Sequence, residues 1–177
     1  MPAFNDRSRQ SIRLKGFDYS ADGAYFLTIC VRNRECLLGE IQDKKMILNN
    51  YGEMVREIWE GLPDKVSDID LDEYVIMPNH FHAILLIHKS VDSSKIYSNL
   101  DVNEAKSRRK MILPKVVGRF KMLTAKAINQ SREIEGAFWQ RNYYENVIRS
   151  EEDVQRVREY IINNPIQWEM DENHPDV

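Results

Sequence analysis

Cysteine is scarce in this 177-residue chain: Cys30 and Cys36 are the only two, and they do not form a C-x-x-C pair. Neither a disulfide framework nor a zinc ribbon is therefore indicated, and a reducing, cytoplasmic setting is expected. No apolar run approaches the ~20 residues of a membrane span, so no membrane partner is expected. The N-terminal M-P-A-F-N-D-R-S-R-Q lacks the apolar core of a signal peptide, and no internal repeat is visible. Nor is there a large charge excess. A net charge of −3 argues against a protein that coats nucleic acid non-specifically. One local absence points the other way. From Lys106 to Lys126 there is no acidic residue, whereas Lys106, Arg108, Arg109, Lys110, Lys115, Arg119, Lys121 and Lys126 are all basic. From Glu169 to Val177 the charges are acidic only. A charge run usually means a solvated face, but a stretch this long without a carboxylate favours contact with a polyanion.

The remaining composition, 42% apolar and 30% charged, is that of a globular chain long enough for one domain with its own core. After a basic lead (Arg7, Arg9, Arg13, Lys15), Ala24–Arg32 is rich in aromatic and β-branched residues and predicts a strand. Met54, Val55, Ile58 and Leu62 recur at helical spacing and predict a helix over 49–62. Asp70–Met77 and His80–His88 predict a hairpin turning at Pro78-Asn79. Residues 89–113 are polar and aperiodic, as in a flexible surface connection. Pro114 opens a second helix whose apolar stripe is Val116, Phe120, Leu123 and Ala127, with Lys115, Arg119 and Lys126 on its flank. Phe138–Arg149 predicts a fourth strand. Ser150-Glu151-Glu152-Asp153 resembles a capping box that starts a last helix, which should stop at Pro165. The order βαββαβ plus a helix predicts an α+β fold: a ferredoxin-like sandwich with an extra C-terminal helix.

The segment M-P-N-H-F-H-A-I-L-L-I at 77–87 sets two imidazoles one residue apart at the mouth of an apolar run. Strand alternation puts His80 and His82 on one face and Phe81, Ala83, Leu85 and Ile87 on the other. The apolar set would pack under helices and leave both imidazoles on the open face, within reach of one cation. Two exposed histidines with no ligand are the commoner meaning of this spacing. On the last helix, Tyr160 and Asn164 are four apart and share a face with Val154, Val157 and Ile161. Taken separately, the tyrosine reads as a core residue and the asparagine as a cap. With the histidines they make two imidazoles, an amide oxygen and a phenol, which suit a metal site beside a nucleophile.

Several segments resemble the single-tyrosine HUH transposases: P-N-H-F-H at 78–82, G-R-F-K-M-L-T-A-K at 118–126, W-Q-R-N-Y-Y-E-N-V-I-R at 139–149 and E-Y-I-I-N-N-P at 159–165. I-R-L-K-G-F-D-Y and A-Y-F-L-T-I-C-V-R near the N-terminus match as well. The branch they resemble is the REP-associated tyrosine transposases, named for repetitive extragenic palindromes. The resemblance implies that His80 and His82 are metal ligands, that Asn164 is a third, and that Tyr160 is the nucleophile. The ion would be Mg²⁺ or Mn²⁺. The substrate would be single-stranded DNA beside a hairpin or palindromic repeat, cleaved to a 5′-phosphotyrosine and a free 3′-hydroxyl. It further implies a nucleoid-associated protein that acts as a monomer or as a homodimer exchanging the Tyr160 helix.

On that reading Arg7, Arg9, Arg13, Lys15, Lys115, Arg119, Lys121 and Lys126 would hold the DNA backbone, and Phe17 or Tyr19 would stack on unpaired bases. Tyr143 and Tyr144 are rival nucleophiles, ranked lower because neighbours on a strand point in opposite directions. One departure is Asn146, where the family often has histidine. It leaves open a catalytically impaired hairpin-binding protein on the same scaffold. A replication or conjugation initiator is disfavoured, since the chain is short and has no helicase portion.

Overall fold

In the computed structural model the strand expected near the N-terminus is β1 (Gly23–Cys30), and it lies inside a sheet of four. The structure describes residues 17–90 and 100–175. The expected hairpin is present as β4 (Ile69–Ile76) and β5 (His80–Ile87), which pair antiparallel. β5 pairs next with β1, and β1 with β6 (Tyr144–Ile148), giving the order β4-β5-β1-β6. Each consecutive βαβ pair is thus split by a strand from the other pair, which is the ferredoxin-like arrangement the sequence predicted. The fourth strand is shorter than expected. Trp139 makes only an isolated bridge to Val31, and residues 140–142 turn their carbonyls toward Lys121.

Two helices cover one face of the sheet. In α1 (Asn50–Glu60) the Asn49 side chain caps the first turn, accepting from the backbone N–H of Tyr51 and Gly52. Gly52 has to be small, because a Cβ there would stand 2.3 Å from the carbonyl oxygen of Leu38. After a short helical turn, α2 (Ala105–Arg108), comes α3 (Ile112–Arg132). It starts two residues earlier than predicted, and Pro114 sits in its first turn, where its missing N–H has no intrahelical partner to lose. The end of the presumed surface connection is buried: Met111, Ile112 and Leu113 belong to the core, and the Ile112 N–H donates to Ser20 Oγ at 3.0 Å. Between sheet and helices lies an aromatic cluster in which Trp59, Phe81 and Phe120 meet at 4.9–5.3 Å between ring centres. Phe81 and its alternates Ala83, Leu85 and Ile87 face this layer, as strand alternation required.

Two features were not foreseen. A two-stranded ribbon, β2 (Gly39–Gln42) and β3 (Lys45–Leu48), turns through Asp43 and Lys44, both at positive φ. Such a turn usually advertises itself with Asn-Gly or Asp-Gly, and Asp-Lys gives no such signal. The last helix, α4 (Glu151–Asn163), is capped by Ser150 as expected, but the chain does not stop at Pro165. It tightens into a 3₁₀ helix over Asn164–Met170 and returns to the sheet at Asp171. Among the described residues no helix is long and apolar enough to cross a membrane.

Candidate active site

The histidine face of the sheet is not open, as the sequence had suggested. The helix α4 packs across β4 and β5, and the 3₁₀ segment closes the end, so that His80 and His82 are 0% and 2% exposed. Helix packing supplies the reason. Val154, Val157 and Ile161 turn toward the sheet, and Arg158 fastens the helix to β4 through a two-pronged bond to Asp72, with Nε–Oδ1 at 2.9 Å and Nη2–Oδ2 at 2.6 Å. Asp72 sits in a one-residue bulge between Leu71 and Tyr74, and bulges re-aim side chains in this way.

His80 Nδ1 lies 2.8 Å from Asn79 Oδ1. The Asn79 amide can be oriented from its other partners: its Nδ2 donates to the carbonyls of Arg34 at 3.0 Å and Asn173 at 2.7 Å. Its oxygen must therefore face the imidazole and accept a proton from Nδ1, which leaves Nε2 with a free lone pair. That Nε2 is buried and has no hydrogen-bond partner. His82 Nδ1 is bonded to Thr28 Oγ1 at 2.8 Å, and its Nε2 lies 3.3 Å from the Tyr160 hydroxyl. Both rings thus turn their Nε2 atoms inward.

Asp171 meets them there. Its Oδ2 lies 3.9 Å from His80 Nε2 and accepts from Asn164 Nδ2 at 3.1 Å. One ligand atom each from His80, His82 and Asp171 falls within 4.8 Å of the others. Asn164 Oδ1, also buried and without a hydrogen bond, lies beside them. Burial pushes the His80 imidazolium pKa down to about 4 against the pull of Asp171 and Asn164. Burial, followed by the repulsion of His80, pushes His82 down to about 3. Both rings are therefore neutral at neutral pH and have lone pairs to give. Burial also raises the Asp171 carboxyl, but the Asn173 backbone N–H, His80 and Asn164 outweigh it and hold Asp171 below the usual range as a carboxylate. Two orphaned buried acceptors, a second imidazole nitrogen and a carboxylate fit a divalent cation that accepts mixed nitrogen and oxygen ligands. Burial first, then the charges of Asp171 and Glu172, push the Tyr160 phenol up to about 12.

The sequence named His80, His82, Tyr160 and Asn164, and the structure gathers all four from a single chain. It missed Asp171, whose only trace was the acidic tail. The other expectations fare unevenly. Tyr19 is 1% exposed and belongs to the core, and half-buried Phe17 packs on it edge-to-face at 5.0 Å, so neither is a free stacking platform. Arg7, Arg9, Arg13 and Lys15 lie outside the described residues. Lys115, Arg119 and Lys126 are exposed on α3, which lies across the sheet from the histidines. The Lys121 ammonium donates to the carbonyls of Gln140 at 2.6 Å and Arg141 at 3.0 Å, so it holds the approach to β6 in place. Tyr143 and Tyr144 do point in opposite directions: the first is 7% exposed and the second 60%. Asn146, paired with Phe26, is exposed on the histidine face.

No family model matches the chain. An uncharacterized protein of Haemophilus influenzae is 40% identical over 171 residues, covering 95% of this chain and 94% of its own length. A putative REP-associated tyrosine transposase of the same organism is 24% identical over 169 residues, covering 90% of this chain and 85% of its own length. By fold, the chain superposes on a REP-associated tyrosine transposase solved bound to a REP hairpin, with a TM-score of 0.51 and 19% identity over 91% of this chain and 73% of that one. The chain is thus similar in sequence to a putative REP-associated tyrosine transposase and shares the fold of a solved one. The helix that carries Tyr160 is the element added to the ferredoxin-like core.

Proposed function

We propose that this protein nicks and rejoins single-stranded DNA beside a hairpin, with Tyr160 as the nucleophile. The observation that carries the reading is the placement of the Tyr160 hydroxyl 3.3 Å from His82 Nε2, at the rim of the His80–His82–Asp171 cluster of the same chain. Tyr160 is 39% exposed, so it can be reached from outside, and its ring meets those of Phe26 and His82 edge-on.

His80, His82 and Asp171, with Asn164 Oδ1, would hold one Mg²⁺ or Mn²⁺. A bound divalent ion would supply the positive charge that the phosphoryl oxygens and the departing 3′-oxygen need in the transition state. The rest is the work of the chain. Tyr160 Oη attacks phosphorus, the P–O3′ bond breaks, the phenol proton is lost and the 3′-oxygen leaves as a hydroxyl. One phosphodiester is exchanged for another, so the step conserves bond energy and can be reversed to join a new 3′-end. A phenol raised to about 12 is a poor nucleophile at neutral pH, and the charges of Asp171 and Glu172 are part of the cause. Neutralising the Asp171 side of the cluster lowers that barrier to ionisation.

The test is to incubate the protein with a labelled single-stranded hairpin oligonucleotide and Mn²⁺, then denature it. A covalent protein–DNA adduct is expected with the parent protein and not with Tyr160→Phe. An adduct that persists in the variant would show that another residue is the nucleophile. Binding without any adduct would favour a hairpin-binding protein with an impaired site.

A further inference from the structure

Two side chains of the cluster meet at the Tyr160 hydroxyl. Its oxygen lies 3.3 Å from His82 Nε2, and the Asn164 side chain bonds it from one turn further along. The Asn164 bond favours the ionised phenol, as only a donor does, so the amide N–H gives and the oxygen accepts. The phenol therefore keeps its own proton for His82. Whether His82 can take it depends on the tautomer of that ring. The Thr28 hydroxyl at Nδ1 can donate or accept and does not decide. The Leu27 carbonyl does decide, because it also bonds the ring, favours its protonated form and can only accept. Leu27 precedes Thr28 on β1, so the ring proton sits on Nδ1 and the lone pair on Nε2. The Tyr160 O–H donates into that lone pair.

An imidazole nitrogen has one lone pair in the plane of its ring, and it cannot serve a phenol proton and a cation together. The inward nitrogens of the two histidines differ on this point: His80 Nε2 is buried without a hydrogen bond, whereas His82 Nε2 is engaged by Tyr160. We propose that the Tyr160 hydroxyl is a latch, which holds the His82 Nε2 lone pair until a divalent cation takes it and which is set free by that exchange. The inference rests on the reading of the cluster as a metal site beside a nucleophile. Loading of the site and release of the nucleophile then become one event. The freed phenol stays at the rim, because its ring still meets those of Phe26 and His82 edge-on at 5.9 and 5.3 Å. Coupling of this kind is reciprocal, so whatever removes the phenol proton tightens the hold on the cation. A Tyr160 oxygen esterified to phosphate has no proton to donate. The cation is accordingly held more firmly through the joined state than before it, which keeps the site loaded for rejoining.

The test compares Mn²⁺ binding by the full-length parent and by Tyr160→Phe without DNA, counting the free ion by electron paramagnetic resonance. Phenylalanine keeps the ring and removes only the O–H. Tyr160→Phe is therefore expected to bind Mn²⁺ about 2- to 10-fold more tightly, the worth of one hydrogen bond. The gain should vanish in a His82→Ala background, and a gain that survives there would overturn the latch. Equal affinity of parent and Tyr160→Phe, or binding of Mn²⁺ by neither, would overturn it too. Weaker binding by Tyr160→Phe would do the same, by showing the phenol to be a ligand. A second readout needs no variant beyond the one that assigns the signal. The carbon-13 resonance of the Tyr160 Cζ should shift as Mg²⁺ fills the site, and a resonance unmoved at saturation would refute the exchange. Adduct formation by the parent on a single-stranded hairpin is scored separately. Tighter Mn²⁺ binding by Tyr160→Phe without any adduct would sink the nicking reading and keep the latch. A Tyr160-dependent adduct with unchanged Mn²⁺ affinity would do the reverse.

Discussion

Asn79 touches no substrate, yet the geometry makes it a positioning residue for His80 and for the segment that carries Asp171. Its side chain is fully buried and makes three bonds: one from His80 Nδ1 at 2.8 Å, and one each to the carbonyls of Arg34 and Asn173 at 3.0 and 2.7 Å. Asn79→Ala removes all three and strands two buried polar groups, His80 Nδ1 and the Asn173 carbonyl, together with the part-buried Arg34 carbonyl. A net bond is worth about 1 kcal/mol, and each stranded group adds about 1–3 kcal/mol unless water enters the space. With one water admitted, a loss of about 2–4 kcal/mol of stability is expected. The more diagnostic effect is on the imidazole. Once its Nδ1 proton has lost its acceptor, His80 is free to move that proton to Nε2, the atom turned toward Asp171. Loss of such an outer partner typically costs about 10- to 100-fold in metal affinity. Asn79→Asp separates the two roles, because its carboxylate still accepts from Nδ1 but cannot donate to the two carbonyls. Nitrogen-15 NMR of the histidine rings reads the tautomer directly, and the Mn²⁺ dependence of thermal unfolding reads affinity. The expected outcome is a changed His80 tautomer and weak Mn²⁺ stabilisation in Asn79→Ala, with the tautomer preserved in Asn79→Asp. If Asn79→Ala keeps both the Nδ1-protonated ring and parental Mn²⁺ affinity, the positioning argument is wrong.

Three other outcomes follow from particular contacts. The Arg158 hydrogen bond holds Asp72 below the usual carboxylate range, so its contribution to stability is full above the unfolded value near ~4 and is lost as pH falls through the lower folded value. The stability gap between the parent and Asp72→Asn should therefore be constant near neutrality and close in acid. A gap that does not vary with pH in denaturant titrations would refute the coupling. Lys121→Met should cost about 1–2 kcal/mol and raise hydrogen exchange over 140–143, because the ammonium that gathers those carbonyls is gone. Unchanged exchange there would leave the ammonium with no structural role. Since Tyr160 meets the His82 of its own chain, a mixture of Tyr160→Phe and His82→Ala proteins should form no adduct. Recovery of adduct in the mixture would show that the α4 helix is exchanged between two copies.

Much of this molecule was written locally. The alternation of Phe81, Ala83, Leu85 and Ile87 against His80 and His82 determined which face of β5 is buried, because side chains on a strand have a period of two. Ser150 and Asp153 determined where α4 starts, and the one-turn spacing of Tyr160 and Asn164 determined that the two side chains come together. The Asp43-Lys44 turn was illegible because neither residue favours positive φ strongly enough to announce it. The tertiary structure alone decided three further things. It buried the two histidines, since whether a strand face is open depends on which helix, distant in sequence, settles on it. It turned Lys121 from a candidate DNA contact into a tie for residues 140–142, because a lysine's role is set by whatever carbonyls lie within reach. It brought in Asp171, ninety-one residues after His80, by continuing the last helix as a 3₁₀ turn beyond Pro165 and letting Asn79 hold the returning chain through the Asn173 carbonyl. Periodicity sees only neighbours along the chain, whereas a ligand set is defined by distance in space.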